Sequence, residues 1–264
     1  SLIEEKKIIS KMKKNIQLKK IYNNTFKKQD RVRETEEFKE VLKLISWRNK
    51  QILDVGCGTG KLAYLISKKG GNVKGIDYSK SAIKVAKKKY QNPNLKYELI
   101  DASKRILGKY DVIISVGTLE HMDNPYLMLK KLKNNLKPSG KIIITSPNWA
   151  NMRGFILMTL YFLLEAPITL ADLHYLTPVD FMNWSKKLKL NLTWKTIEYS
   201  WGSEKKLIQD LNVRLPRIFQ GTGLQIRKKN IKNLLNWLNH KVIPLENSSQ
   251  IRGAIGLYML SNQK

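Results

Sequence analysis

The chain has 264 residues, 42% hydrophobic and 9% aromatic, with 49 Lys+Arg against 21 Asp+Glu and a net charge of +28. That length and apolar content support a buried core and exclude an intrinsically disordered chain, while the lone Cys57 excludes an intrachain disulfide or a multi-cysteine metal cluster and fits a reducing compartment. The charge is spread as +8 over residues 1–50, +9 over 51–180 and +11 over 181–264, on 40 Lys and 9 Arg, which reads as lysine-rich composition more than as a phosphate-reading surface of guanidinium forks.

Residues 1–47 read as a helical lead-in or lid, with Phe38, Val41, Leu42 and Leu44–Ile45 on its apolar face. The start carries no apolar signal-peptide core, so a cytoplasmic protein is expected. Gln51–Val55 is a short strand closed by glycines, Leu62–Lys69 a helix, Asn72–Asp77 a second strand and Ser79–Tyr90 a second helix. Leu95–Ile100 and Tyr110–Val116 follow as strands, and Pro125–Leu136 is a helix stopped by Lys137-Pro138-Ser139-Gly140. Lys141–Ser146 is a β-branched fifth strand. Such alternation predicts a parallel sheet with helices on both faces.

Past Pro147 the pattern loosens. The apolar run Gly154–Leu164 is eleven residues, too short as a helix for the roughly 30 Å hydrocarbon core of a bilayer. A Pro178-started helix to Leu190, a strand-like Leu192–Ser200, an insertion over 203–249 and a final buried strand Ile251–Leu260 complete the reading, without repeats and as one domain over 1–264. Within the insertion, Ile231, Leu234, Leu235 and Leu238 form a helical stripe beside Lys228, Lys229 and Lys232; it suits peripheral contact with a membrane or, alternatively, inward packing.

Chemistry concentrates in Ile52-Leu53-Asp54-Val55-Gly56-Cys57-Gly58-Thr59-Gly60, where three alternating glycines join a buried strand to a helix. Glycine admits positive φ and lets a ligand approach the main chain at the carboxyl end of the strand. A dinucleotide fingerprint needs a small residue where Lys61 stands, and a phosphate-binding P-loop needs Gly and Ser/Thr where Val55 and Leu62 stand, so neither fits. An acidic residue closing the next strand, Asp77 in Gly75-Ile76-Asp77-Tyr78-Ser79, lies 19 residues after Gly58, the spacing of a ribose acceptor; a turn or cap is the alternative for an isolated Asp.

With these landmarks the sequence resembles the class I S-adenosylmethionine-dependent methyltransferases over about residues 51–148. The resemblance implies a Rossmann-like α/β fold with a mostly parallel seven-stranded sheet, helices on both faces, N-terminal helices and a helical insertion before the last strand. It implies S-adenosyl-L-methionine as cofactor, held by a core over 48–148 through Asp54, Gly56, Cys57, Gly58, Gly60, Asp77, Tyr78 and Val116, with Asp101 and Ala102 at the adenine. Residues 149–190 then become an acceptor cover, greasy through Phe155, Ile156, Leu157, Met158, Tyr161 and Phe162, unless that run simply closes the core.

Leu119-Glu120-His121 and Asp172-Leu-His-Tyr-Leu-Thr177 look like the subgroup around quinone-biosynthesis O-methyltransferases. Those enzymes carry a further Glu where this chain has Gly117, and the adjacent Glu120 and His121 are not expected to converge on one ion, so no metal site is expected. An oxygen acceptor must lose a proton during transfer, and a histidine suits that task. His121 is placed first, His174 second, with Glu120 beside them; His240 lies in the insertion. The expected partner is a small-molecule acceptor, apolar, lipid-linked or glycan. RNA is disfavoured because Ser115-Val116-Gly117-Thr118 lacks the Asn/Asp-Pro-Pro-aromatic motif of enzymes acting on base amines. A catalytically silent cofactor-binding scaffold is the remaining alternative.

Overall fold

Ile52, Leu53, Asp54 and Val55 are all buried, which requires that Gln51–Val55 (β1) be covered on both faces. In the computed structural model, which describes residues 35–166, 168, 172–243 and 250–263, β1 is an interior strand, third from one edge of a seven-stranded sheet. Parallel to it run Asn72–Asp77 (β2), Leu95–Leu99 (β3), Tyr110–Val116 (β4) and Leu136–Pro147 (β5). Ile255–Asn262 (β7) inserts antiparallel between β5 and Leu190–Ile197 (β6), giving the order β3-β2-β1-β4-β5-β7-β6. The mostly parallel α/β class read from the sequence is the class observed.

Alternate residues of the central strands feed two apolar layers. Leu53, Val55, Ile113, Ile142 and Ile144 meet Leu129 and Leu132 of Pro125–Asn134 (α4) and Phe181 of Pro178–Lys187 (α6). On the opposite face Ile52, Val112, Ile114 and Ile143 meet Glu36–Lys43 (α1), Lys61–Lys68 (α2) and Lys80–Lys89 (α3) through Val41, Leu62, Ile66 and Ile83. A third cluster joins Met152–Leu164 (α5) to Lys205–Thr222 (α8) and Lys228–Trp237 (α9) through Leu157, Leu207, Leu211, Leu215, Ile231 and Leu235. The short Tyr199–Ser203 (α7) leads into α8.

Side-chain caps set the helix starts. Thr35 accepts from Phe38 N–H, Ser79 from Ala82 N–H and Asn124 from Leu127 N–H, while Asp180 accepts from both Thr177 N–H and its hydroxyl. Asn151 caps α5 through Gly154 N–H at 2.8 Å, and a Cβ at Gly154 would lie 2.1 Å from the Trp149 carbonyl oxygen. Only glycine lets α5 begin against that backbone.

Several expected boundaries are corrected. β5 starts at Leu136, not Lys141, because the Pro138–Gly140 segment interrupts the strand without ending it: the register jumps between the Tyr110–Leu136 and Val112–Lys141 pairs. The helix from Pro178 stops at Lys187 and β6 ends at Ile197, where Lys189 and Glu198 take left-handed φ of 51° and 60°. β7 begins at Ile255 because the segment before it is tied to side chains: Asn148 donates to Ile251 and Gly253 carbonyls, and Asn151 to Gly253. The lead-in through residue 34, and 244–249 of the insertion, lie outside the described residues. No helix among the described residues is long and apolar enough to cross a membrane.

Candidate active site

The turn after β1 carries Gly56, Gly58 and Gly60 at φ of 74°, 51° and 84°, all in the region that side chains rarely adopt. Gly56 N–H and Cys57 N–H both donate to the Ile76 carbonyl, fastening the turn to β2. Two of the glycines answer to the chain itself. A Cβ on Gly56 would lie 2.4 Å from Thr118 Cγ2, and one on Gly60 would lie 2.5 Å from the Tyr97 hydroxyl. Tyr97, reaching from β3, donates that hydroxyl to the Gly60 carbonyl at 2.9 Å and passes so close to Gly75 that a Cβ there would meet its ring at 2.9 Å. Cys57 packs into the same corner, its Sγ 3.0 Å from that position, and burial drives its thiol well up, so it is an apolar wedge and not a nucleophile.

Asp54 is buried at the tip of β1, and its Oδ2 has no hydrogen-bond partner among the described residues. Burial first, and then the Asp77 charge, push its carboxyl up to about 7. Asp77 ends β2 with both oxygens engaged: Oδ2 accepts from Gly58 N–H at 2.9 Å and Oδ1 from Ser79 N–H at 2.7 Å. The turn-and-cap role weighed for this region is therefore real, with Ser79 capping α3, and Asp77 also braces the glycine turn. Tyr78 is partly exposed and lies within the fields of Asp77 and Asp101. Asp101 accepts from Ser103 N–H and its hydroxyl, as a turn residue does, beside buried Ala102. Val116 ends β4 half-buried. Every residue assigned to the cofactor thus falls along the carboxyl ends of β1 to β4. The orphaned Asp54 oxygen and the fixed turn suit an ammonium-bearing adenosyl ligand.

The 3-10 turn Leu119–His121 follows β4. The expectation that adjacent Glu120 and His121 diverge is corrected: the turn is tight enough that His121 Nε2 lies 3.7 Å from Glu120 Oε1. The covering segment supplies Asp172, whose Oδ1 lies 3.8 Å from His121 Nδ1. Leu173 N–H and His174 N–H both donate to the Glu120 carbonyl, which latches that segment onto the turn. Glu120, His121 and Asp172 each offer one ligand atom within 4.8 Å of the others, a donor set that suits a divalent cation. Burial pushes the Glu120 carboxyl up to about 8, Asp172 and Glu37 adding to it, and its Oε2 has no partner among the described residues. His174 stands beside the Glu120 backbone, whereas His240 bonds to the Asn236 carbonyl on an exposed helix face, away from this group.

Glu37 of α1 escaped the sequence reading. Its carboxyl is raised by burial, opposed by a hydrogen bond with Thr145, and raised further by Glu198. The Thr145 hydroxyl also accepts from Gly117 N–H at 3.1 Å, so α1 joins the end of β4 through one hydroxyl. In sequence Glu37 is one of two acids in a capped first turn, where a macrodipole role is the ordinary reading, and only the tertiary contact distinguishes it.

The cover is half as expected. In α5, Leu157 is buried, but Phe155, Phe162 and Leu163 are 57%, 72% and 76% exposed, so the apolar run does not simply close the core. In α9, Ile231 and Leu235 are buried, as is Leu238 just past its end, while Leu234 is 37% exposed, so most of that stripe packs inward.

The methyltransferase-domain family model matches residues 47–212. Among curated relatives, a ubiquinone biosynthesis O-methyltransferase of Coxiella burnetii is 34% identical over 116 residues, 42% of this chain and 49% of that protein. One from Dechloromonas aromatica is 27% identical over 155 residues, 55% of this chain and 66% of that one. The matched stretch thus spans about half to two thirds of these relatives' lengths. A methyltransferase from Thiobacillus denitrificans solved with S-adenosyl-L-homocysteine superposes with a TM-score of 0.56 at 19% identity, covering 91% of this chain and 97% of that one. A Haemonchus contortus phosphoethanolamine N-methyltransferase gives 0.56 at 15%, covering 86% and 52%. At such identities these two establish the fold.

Proposed function

The chain belongs to the methyltransferase-domain family, and from that premise we propose that it transfers a methyl group from S-adenosyl-L-methionine to an oxygen of a small-molecule acceptor. The observation that carries the cofactor is buried Asp54, with an oxygen that has no partner among the described residues, at the strand tip beside a turn that Asp77 and Tyr97 brace. In this reading Asp54 takes the cofactor's ammonium and Asp77 the ribose hydroxyls with its remaining lone pairs. Tyr78, Asp101 and Ala102 lie toward the adenine, and Gly56–Gly60 and Val116 line the path between.

When bound, the cofactor supplies an already activated methyl on a sulfonium. What the chain must add is alignment of an acceptor oxygen and removal of its proton; alignment alone is worth roughly 7–11 kcal/mol in the best cases. His121 is the base in this proposal, with Asp172 on one side to stabilise the imidazolium that forms and the Glu120 carboxyl, largely protonated at neutral pH, on the other. His174 is second. The latch of residues 173 and 174 onto Glu120 gives a way for the cover to set the turn that carries the base.

The finer acceptor proposal is an apolar, lipid-linked molecule met at a membrane surface. Its support is the exposed Phe155, Phe162 and Leu163 of α5 on a chain of net charge +28, a combination suited to an anionic interface. The O-methyltransferase name of the curated relatives supports oxygen as the atom. Calorimetry with S-adenosyl-L-homocysteine tests the cofactor, and a labelled-methyl assay on phenolic, glycan and lipid-linked acceptors tests transfer. Label on RNA alone, with none on these, would replace the small-molecule reading.

A further inference from the structure

Arg153 and Arg214 meet on one carboxylate beside the covering segment, and they use it differently. Arg214 of α8 commits all three guanidinium nitrogens to the chain: Nε and Nη2 donate to Asp210 at 3.2 and 3.1 Å, and Nη1 donates to the Ile168 carbonyl at 3.0 Å. Arg153, in the first turn of α5, donates only Nε to Asp210, at 2.9 Å. Its Nη1 and Nη2 bond to no described residue, although the side chain is only 17% exposed. The guanidinium lies beside the buried Trp149 ring, its central carbon 5.8 Å from the ring centroid. Trp149 in turn holds the cover: its backbone N–H donates to the Leu176 carbonyl at 3.2 Å, and its ring meets Tyr175 edge-on at 4.8 Å between centroids. Arg153 and His121 therefore flank one stretch of cover, Arg153 through Trp149 and His121 through Asp172 at 3.8 Å.

The ion pair with Asp210 accounts for the Nε edge of Arg153 but not for its two-pronged end, which in Arg214 closes on Asp210 and backbone. A guanidinium is planar, so fixing one edge sets the direction of the other, and that end matches two oxygens of a carboxylate or phosphate. A second donor nearby is also open: Trp149 Nε1 is buried and has no partner among the described residues. Buried donors in native folds are rarely left so, and two neighbouring ones call for an acceptor of hydrogen bonds. We propose that Arg153 binds an oxyanion, carboxylate or phosphate, borne by the methyl acceptor at the end remote from the oxygen that gives its proton to His121. Trp149 and Tyr175 supply the aromatic surface between those two ends.

The inference rests on the methyl-transfer reading, and one calorimetric series separates the two. The chain is first saturated with S-adenosyl-L-homocysteine, then titrated with matched probes, 3,4-dihydroxybenzoate against 4-methylcatechol and glucose 6-phosphate against glucose. The anion of at least one pair is expected to bind at least about tenfold tighter than its neutral partner, and which pair responds tells carboxylate from phosphate. Arg153→Gln should bring that ratio to about one. Arg153→Lys, which keeps a charge towards Asp210 but loses the fork, should bring it to about threefold or less. Both variants should keep their affinity for S-adenosyl-L-homocysteine. Equal binding within both pairs, no binding by either anion, a preference undiminished by either substitution, or one that needs Mg2+ overturns the anion subsite and leaves methyl transfer standing. Failure of S-adenosyl-L-homocysteine to bind the unaltered chain removes both.

Discussion

Asp54 shows how one buried carboxyl links the glycine turn to pH. Its carboxyl sits at about 7 in the ligand-free chain because burial, then Asp77, disfavour the charge. A bound ammonium favours the ionised form, so binding should release a proton, and affinity for S-adenosyl-L-homocysteine should rise about tenfold between about pH 5.5 and 7. A pH-independent dissociation constant over that range would remove Asp54 from the ammonium. Tyr97→Phe keeps the ring that fills the space beside Gly60 and Gly75 but loses the bond to the Gly60 carbonyl. We expect affinity to fall severalfold with little change in melting temperature, since one hydrogen bond contributes about 1 kcal/mol. On the acceptor side, His121→Ala should slow methyl transfer by about a hundredfold or more and leave cofactor affinity intact. An unchanged rate would pass the role to His174.

Elements differ in how much of them the sequence discloses. β1, β2 and β4 begin and end where their alternation of apolar runs and turn residues says, because central parallel strands are buried on both faces and leave an uninterrupted signal. Pro138 and Gly140 mislead, since a turn-like segment inside a strand has the same composition as a turn between elements. For α5, composition alone cannot say which side faces outward, and the exposed Phe162 and Leu163 come only from the fold. Gly154 is a comparable case: its need is set by the Trp149 carbonyl, not by helix propensity. Gly154→Val should lower the melting temperature markedly, as a side chain there strikes backbone. Phe162→Asp with Leu163→Asp should leave the fold intact and reduce co-sedimentation with phosphatidylglycerol vesicles; equal sedimentation would detach α5 from the membrane proposal.

Across the molecule, strand order alone gathers the residues assigned to the cofactor, whereas the grouping on the acceptor side has no such signal in the sequence. Asp54, Gly56, Asp77 and Asp101 lie at strand ends, where topology brings them together whatever the loops do. Asp172, by contrast, comes within 4.8 Å of the Glu120 ligand atom only because the covering segment folds back over the sheet, an approach with no local signature. Raised carboxyls also give the whole chain a pH signature. Asp54 near 7 and Glu120 near 8, with Glu37, Asp77 and Asp172 also raised, hold more protons in the fold than in the unfolded chain. Ligand-free stability should therefore fall as pH rises from the usual carboxylate range, about 4, through about 8. The melting temperature should be lower at about pH 8.5 than at about 6.

The most direct test of the central claim is a calorimetric titration of S-adenosyl-L-homocysteine into the wild-type chain and Asp77→Ala. Saturable one-to-one binding to the first and none detectable to the second is the predicted result. No heat with the folded wild-type protein, or equal affinity in both, would contradict the account.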